Sequence, residues 1–263
     1  KILVLGAGNF GTCLAQHLTL NGHKVTLWAR SEEVVKNINA QHRNPRYLSH
    51  FSLHPQLKAT ANVDDTLLTQ AEVIILAIPT QHLRSALSQL QGRVSPKQLV
   101  ISAVKGIEQD SLKLPSAIVK DLLGDKVAEG AVVLSGPSFA EEIVQKLPTG
   151  LSAACKLRER AELAQQCFHT PRFRVYTSGD PVGLEVAGAI KNVIAISAGA
   201  CAGLGFQANS KATLITRGLA EITNIGTRMG ANPITFTGLG GVGDLFLSCS
   251  SEKSRNYTVG YTL

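Results

Sequence analysis

"KILVLGAGNFG" (residues 1–11) decides the fold. An apolar run stops at a glycine, the pattern of a strand buried on both faces, and helical spacing of Leu14, Ala15 and Leu18 follows at once. The turn between them reads G-x-G-x-x-G. Gly6 suits a tight turn, Gly8 lets the backbone approach a pyrophosphate, and Gly11 lets helix and strand pack, while the helix start supplies aligned N–H donors. In that strand, turn and helix setting the glycines predict a dinucleotide site.

Working outward, "NGH" (21–23) stops the helix, with Gly22 suited to a left-handed cap, and "KVTLW" (24–28) is the second strand. An acidic residue at the end of that strand would bond a ribose 2′-hydroxyl, but "LWARSEE" places Arg30 there. A cation suits a 2′-phosphate, so NADP(H) is the preferred cofactor. Glu32 and Glu33 just beyond keep NAD(H) possible.

A polar helix-like segment and an irregular stretch (41–60) lead to "EVIILAIP" (72–79), a buried strand, and to a helix from Thr80. "QLVISAV" (98–104), "AVVLS" (131–135), "GLSAA" (150–154) and "FRVY" (173–176) read as further strands, separated by helices at 111–123, 138–146 and 157–168. This alternation predicts an α/β, Rossmann-like doubly wound sheet with right-handed crossovers. Asp180 and Pro181 form an N-cap and first-turn pair, after which only helical periodicity and glycine-rich turns remain. The expected domains are therefore 1–180, binding the dinucleotide, and 181–263, an all-helical substrate and catalytic unit. "NYTVGYTL" ends without a cap or polar tail, so that second unit is expected to continue beyond Leu263, and the opening at Lys1 without methionine suggests missing leading residues.

Composition narrows the class. With 44% hydrophobic and 17% charged residues, the chain reads as globular rather than disordered. Twenty-six Lys and Arg against nineteen Asp and Glu leave a charge of +7, which favours anionic partners. The basic residues are dispersed and lack interleaved aromatics, so nucleic acid is not an expected partner. Five cysteines, at 13, 155, 167, 201 and 249, show neither paired nor metal-ligating spacing, which fits a reducing cytoplasm and no metal site. The apolar run 193–206 is interrupted by Gly199, Gly203 and Gly205 and makes a poor membrane span.

Three stretches carry candidate chemistry. "EVAGAIKNVIAISAGA" (185–200) sets Lys191 in an otherwise apolar helix, where an ammonium must find a partner, lose its proton or reach a cleft. Ala187, Gly188 and Ala195 at helical spacing are expected to leave room for substrate beside it. "SGPSFAEE" (135–142) turns from a strand end into a helix, with Ser138 and Glu141 in a capping-box spacing, and "AVKGIE" (103–108) puts Lys105 at the same sheet edge. "GLGGVGDLFLSCSSEKSRN" (238–256) is too glycine-rich for a helix interior and carries Asp244, Ser254, Arg255 and Asn256.

Over essentially its whole length the chain resembles the soluble, bacterial-type NAD(P)-dependent glycerol-3-phosphate dehydrogenases. The likeness rests on "GAGNFGT", "VKGIE", "SGPSFAEE", "GAIKNVIAI", "LITRGLAE" and "GGVGDLFLSCSSEKSRN", in that order. It implies reversible hydride transfer between a nicotinamide cofactor and C2 of dihydroxyacetone phosphate, giving sn-glycerol 3-phosphate for phospholipid synthesis. It implies Lys191 as the catalytic lysine, which when protonated in a low-dielectric cleft would stabilise and protonate the developing alkoxide, with Lys105 and Arg255 lowering its pKa toward about 8 and Asp244 opposing them. It implies Lys105, Gly136, Ser138, Lys191, Asp244, Ser254, Arg255 and Asn256 at the substrate. Gly6, Gly8, Asn9, Phe10, Gly11, Arg30, Lys105, Ala140 and Arg255 are implied at the cofactor. Asn9 and Phe10 depart from the family, many of whose members have Ser and Trp there. A small phosphorylated substrate and a homodimer are the expected partners, without membrane insertion. The alternatives are a related hydroxy-acid dehydrogenase and a non-enzymatic NADP(H) sensor.

Overall fold

The computed structural model describes all 263 residues, Lys1–Leu263. In chain order the strands are β1 (Ile2–Leu5), β2 (Val25–Trp28), β3 (Lys58–Thr60), β4 (Val73–Leu76), β5 (Leu99–Ser102), β6 (Val132–Ser135), β7 (Thr149–Ala154) and β8 (Phe173–Ser178). Helices α1 (Asn9–Leu20), α2 (Glu32–Gln41), α3 (Asp65–Gln70), α4 (Thr80–Ser88), α5 (Pro115–Leu123), α6 (Asp125–Glu129), α7 (Ala140–Val144) and α8 (Arg158–Phe168) alternate with them. The strands form one sheet in the order β3-β2-β1-β4-β5-β6-β7-β8, doubly wound about β1. All neighbours are parallel except β6 and β7, which run antiparallel, so the sheet is not uniformly parallel.

Strand geometry explains the two apolar layers. Successive side chains point to opposite faces, so Ile2 and Val4 join one buried cluster with α1 while Leu3 and Leu5 join another with α4 and α5. β4 splits the same way, Val73 and Ile75 against Ile74 and Leu76. Strands buried on both faces have no polar side to alternate, hence the continuous apolar runs.

Three local expectations are corrected. β3 lies within 41–60, read above as irregular; it is a three-residue edge strand with only Ala59 buried, too short to leave an apolar pattern. The helix expected from 111 starts at Pro115, because Asp110 and Leu112 have φ of 63° and 55° and cannot be helical. The capping box is also absent: α7 is capped by Phe139 with no side-chain bond, and Ser138 Oγ instead donates to the Gly136 carbonyl at 2.9 Å.

Beyond β8 the chain is helical: α9 (Pro181–Gly203), α10 (Ala208–Arg228), a 3-10 turn (Pro233–Thr237), a π-helical turn (Leu239–Gly243), α11 (Asp244–Ser250) and α12 (Arg255–Thr262). Asp180 caps α9 by accepting from Gly183 N at 2.9 Å, and its other oxygen accepts from Asn232 N and Thr235 Oγ1. Most of the glycine-rich 238–256 stretch is helical, over Leu239–Gly243 and Asp244–Ser250, with a turn at 251–254 before α12. A Cβ on Gly241 would lie 2.2 Å from the Phe236 carbonyl oxygen, so its glycines answer to close packing rather than to a loop.

α9 is the axis of this half, packed by α10, α11 and α12 and resting on β6. By length and composition it could cross a membrane, with mean hydropathy 1.4 over its most apolar window, but Glu185 and Lys191 are buried on it among its neighbours. Its small residues have a packing reason. A Cβ on Gly199 would come 1.9 Å from the Tyr257 carbonyl oxygen, and one on Gly260 would come 1.8 Å from that of Ile196, so α9 and α12 cross backbone against backbone.

Candidate active site

Lys191 sits midway along α9 and is 8% exposed. Its Nζ donates to Asp244 Oδ1 in a very short contact and to Ser248 Oγ at 2.8 Å. Asp244, the first residue of α11 and 2% exposed, accepts at its other oxygen from Lys105 Nζ at 2.5 Å. Lys105 follows β5 and also donates to the Gly136 carbonyl at 3.4 Å. One carboxylate therefore bridges two ammonium groups, one from the sheet half and one from the helical half.

The electrostatics follow from that arrangement. Burial, and then the charge of Lys105, lower the Lys191 pKa from 10.5 to about 8, while the Asp244 charge and hydrogen bond pull it back up. Arg255, expected to share in this shift, is exposed at the start of α12, and the lowering comes instead from burial and Lys105. Each ammonium has three protons, and Lys191 and Lys105 each spend two on the protein, so each keeps one for a bound carbonyl or phosphate oxygen.

The helix face beside Lys191 is not the open space that its small residues suggested. Ala187 and Ala195 are buried in the helical core. Gly188 makes room for protein: its absent Cβ would lie 3.4 Å from both Lys105 Cγ and Ser135 Oγ. Ser135 Oγ is buried with no hydrogen-bond partner. Gly136 takes φ +146°, which a side chain would resist, and turns its carbonyl to Lys105.

The remaining sequence-derived residues are more dispersed. Ser254 is buried and spends its oxygen as the N-cap of α12, accepting from Tyr257 N at 3.4 Å. Asn256 Nδ2 donates to Asn192 Oδ1 at 2.9 Å, next to Lys191 in the chain. Ser138 and Ala140 lie at the start of α7, partly buried. Ser248 was missed by the sequence reading, although it lies four residues after Asp244 and so on the same helix face.

A dinucleotide fits the glycine turn. Gly6 has φ +113°, and a Cβ on it would lie 2.4 Å from the Ala77 carbonyl oxygen; one on Gly11 would lie 1.8 Å from the Gly6 oxygen. Gly8, by contrast, has nothing within 4 Å of a Cβ and caps α1 with no side chain, leaving the helix N–H groups open. Asn9 is exposed and Phe10 half-buried at that same helix start. Arg30 is exposed beyond β2 and lines a cleft of about 280 Å³ that begins at Leu5, where the glycine turn leaves β1.

A glycine-turn dinucleotide fold joined to a helical unit, with a lysine–carboxylate cluster between them, defines a two-domain nicotinamide-dependent dehydrogenase. Residues 1–161 match the model for the NAD-dependent glycerol-3-phosphate dehydrogenase N-terminus, and residues 180–263 match that for its C-terminus. The chain belongs to the NAD-dependent glycerol-3-phosphate dehydrogenase family. It is 44% identical over 263 residues to the glycerol-3-phosphate dehydrogenase [NAD(P)+] of Staphylococcus saprophyticus, covering all of this chain and 79% of that protein. The enzyme of the same name from Limosilactobacillus reuteri is 47% identical over 266 residues, with 100% and 78% covered. Among solved structures, the glycerol-3-phosphate dehydrogenase of Coxiella burnetii superposes with a TM-score of 0.91 at 33% identity, covering all of this chain and 80% of that one.

Proposed function

We propose that the protein interconverts dihydroxyacetone phosphate and sn-glycerol 3-phosphate with NAD(P)H, in the cytoplasm and as a homodimer, to supply glycerophospholipid synthesis. The observation that supports this reading is Asp244 bridging Lys105 and Lys191, with the Lys191 ammonium lowered in pKa where two halves of the chain meet. Residues 1–180 are taken as the cofactor unit and 181–263 as the unit supplying the proton donor.

When bound, the nicotinamide supplies a hydride to C2 of the substrate. As the carbonyl π pair moves onto oxygen, the free proton of the Lys191 ammonium faces the growing negative charge and transfers to it, leaving neutral Lys191 and a hydroxyl. Asp244 and Ser248 hold the Nζ in place, and the lowered pKa keeps the donor acidic enough to act near neutrality. In the oxidative direction neutral Lys191 takes the proton back. Lys105 presents its own free proton to an anionic substrate, and Arg255 and Asn256, at the start of α12 beside Asn192, are the proposed contacts of the substrate's other polar groups. Gly8 and the bare start of α1 take the pyrophosphate.

The test is loss of NADPH absorbance when dihydroxyacetone phosphate is added, with NADH alongside. Substrate-dependent loss is the expected result. Tight NADPH binding with no turnover of this substrate would overturn the reading in favour of another substrate or a sensor.

A further inference from the structure

The cleft beside the glycine turn carries more information than Arg30 alone. It lies at the carboxyl ends of β1, β2 and β4, the edge where doubly wound sheets bind ligands, and its walls include Leu5, Trp28, Ile78 and Leu90. Its volume, about 280 Å³, suits a nucleoside, and its apolar walls suit a base. Two guanidinium groups line it, Arg30 and Arg93, and no carboxylate does. Glu33, which at sequence level could still meet a ribose hydroxyl, is paired instead with Arg46 at 2.9 Å.

Arg93, just beyond the end of α4, is held rather than free. Its Nε donates to Asp65 Oδ1 at 2.8 Å, its Nη1 to the Gln89 carbonyl at 2.9 Å and its Nη2 to the Val63 carbonyl at 3.1 Å. Nη2 also lies 2.7 Å from Asp65 Oδ1, so of the five N–H donors of the guanidinium one remains, on Nη1. Asp65 is largely exposed; it orients the guanidinium and offsets part of its charge, while Arg30 adds a second cation to the same cleft. A cation held in place with one spare Nη1 donor at the cleft is suited to a phosphate oxygen and loses little side-chain freedom on binding it.

We infer that Arg93 is a second specificity-determining residue of this protein, acting with Arg30 to select a 2′-phosphorylated adenosine in the cleft of β1, β2 and β4. This rests on the proposed dinucleotide function. It assigns to a residue 63 positions beyond Arg30 a role that the second strand's end does not show.

The experiment is calorimetric titration of the protein with 2′,5′-ADP and with 5′-AMP, for the parent, Arg93→Gln and Arg93→Lys. The parent binds 2′,5′-ADP more tightly than 5′-AMP. Arg93→Gln weakens 2′,5′-ADP by about fivefold or more, as expected for a partly solvated charge-assisted contact, and leaves 5′-AMP within about twofold. Arg93→Lys, which keeps the charge and loses the fork, retains most of the preference. Equal losses for both nucleotides, no loss, Lys behaving as Gln, or a parent without preference would overturn the inference while leaving dinucleotide binding standing. Failure of the parent to bind either nucleotide would overturn the cofactor reading itself.

Discussion

Lys191 is an expensive residue to bury, and its surroundings show what the burial achieves. Desolvation and Lys105 push its pKa down to about 8, and Asp244 prevents a larger fall. In its proposed role as proton donor it must be charged for carbonyl reduction, so the reductive kcat should fall as pH rises through about 8, while the oxidative kcat should rise over the same range. Paired pH profiles check the sign, and a reductive rate still climbing above that pH would count against Lys191. Lys191→Ala should lower kcat by about 10²–10⁴-fold with cofactor affinity retained, measured by steady-state rates and a separate binding titration. Asp244→Asn removes the opposing charge and leaves two ammonium groups facing each other, so the midpoint of the reductive profile should move down by about one unit or more.

At the scale of elements, the crossing of α9 and α12 decides how the helical half is built. Gly199 and Gly260 each face a carbonyl oxygen of the other helix, so no side chain fits without moving a backbone. Gly260→Ala should destabilise by about 1–3 kcal/mol or more through overpacking, against the small gain that alanine brings to a free helix. A shift in the urea midpoint measures it, and an unchanged or raised midpoint would show that the crossing can relax. The alanine and glycine run around Lys191 thus serves helix packing on one side and Lys105 at Gly188 on another. The sequence reading, which assigned that space to substrate, could not separate the two.

Across the whole molecule, the two halves also meet away from the reacting groups. Glu185 on α9 is buried and accepts from Ser116 N at 2.8 Å and Ser116 Oγ at 2.5 Å, at the start of α5. Burial raises its pKa from 4.5 to about 7, against those two hydrogen bonds. The folded state therefore holds a proton that the unfolded state releases between those values, and this group's contribution to stability declines as pH rises from about 4.5 to 7. Glu185→Gln keeps an acceptor for Ser116 and should be more stable than the parent at pH 8 by up to roughly 3 kcal/mol, with the difference vanishing near pH 4. Denaturant unfolding at both values checks this, and an equal difference at both would mean that packing, not the proton, is responsible.

What the sequence determined by itself is local or periodic. Gly6, Gly8 and Gly11 between a buried strand and a helix mark the cofactor half, Asp180 and Pro181 mark the start of α9, and an ammonium in an apolar helix marks Lys191, because each signal lies within a few turns of chain. Only the tertiary structure decided which partners these residues meet. Lys105 and Asp244 are 139 residues apart, and Arg93 reaches the cleft from the far end of α4, so neither pairing leaves a trace in spacing or composition. Periodicity says that a helix face is buried. Which neighbour buries it, and whether a glycine there admits a ligand, a lysine or another backbone, depends on how the elements pack, and that is settled only when the whole chain has folded.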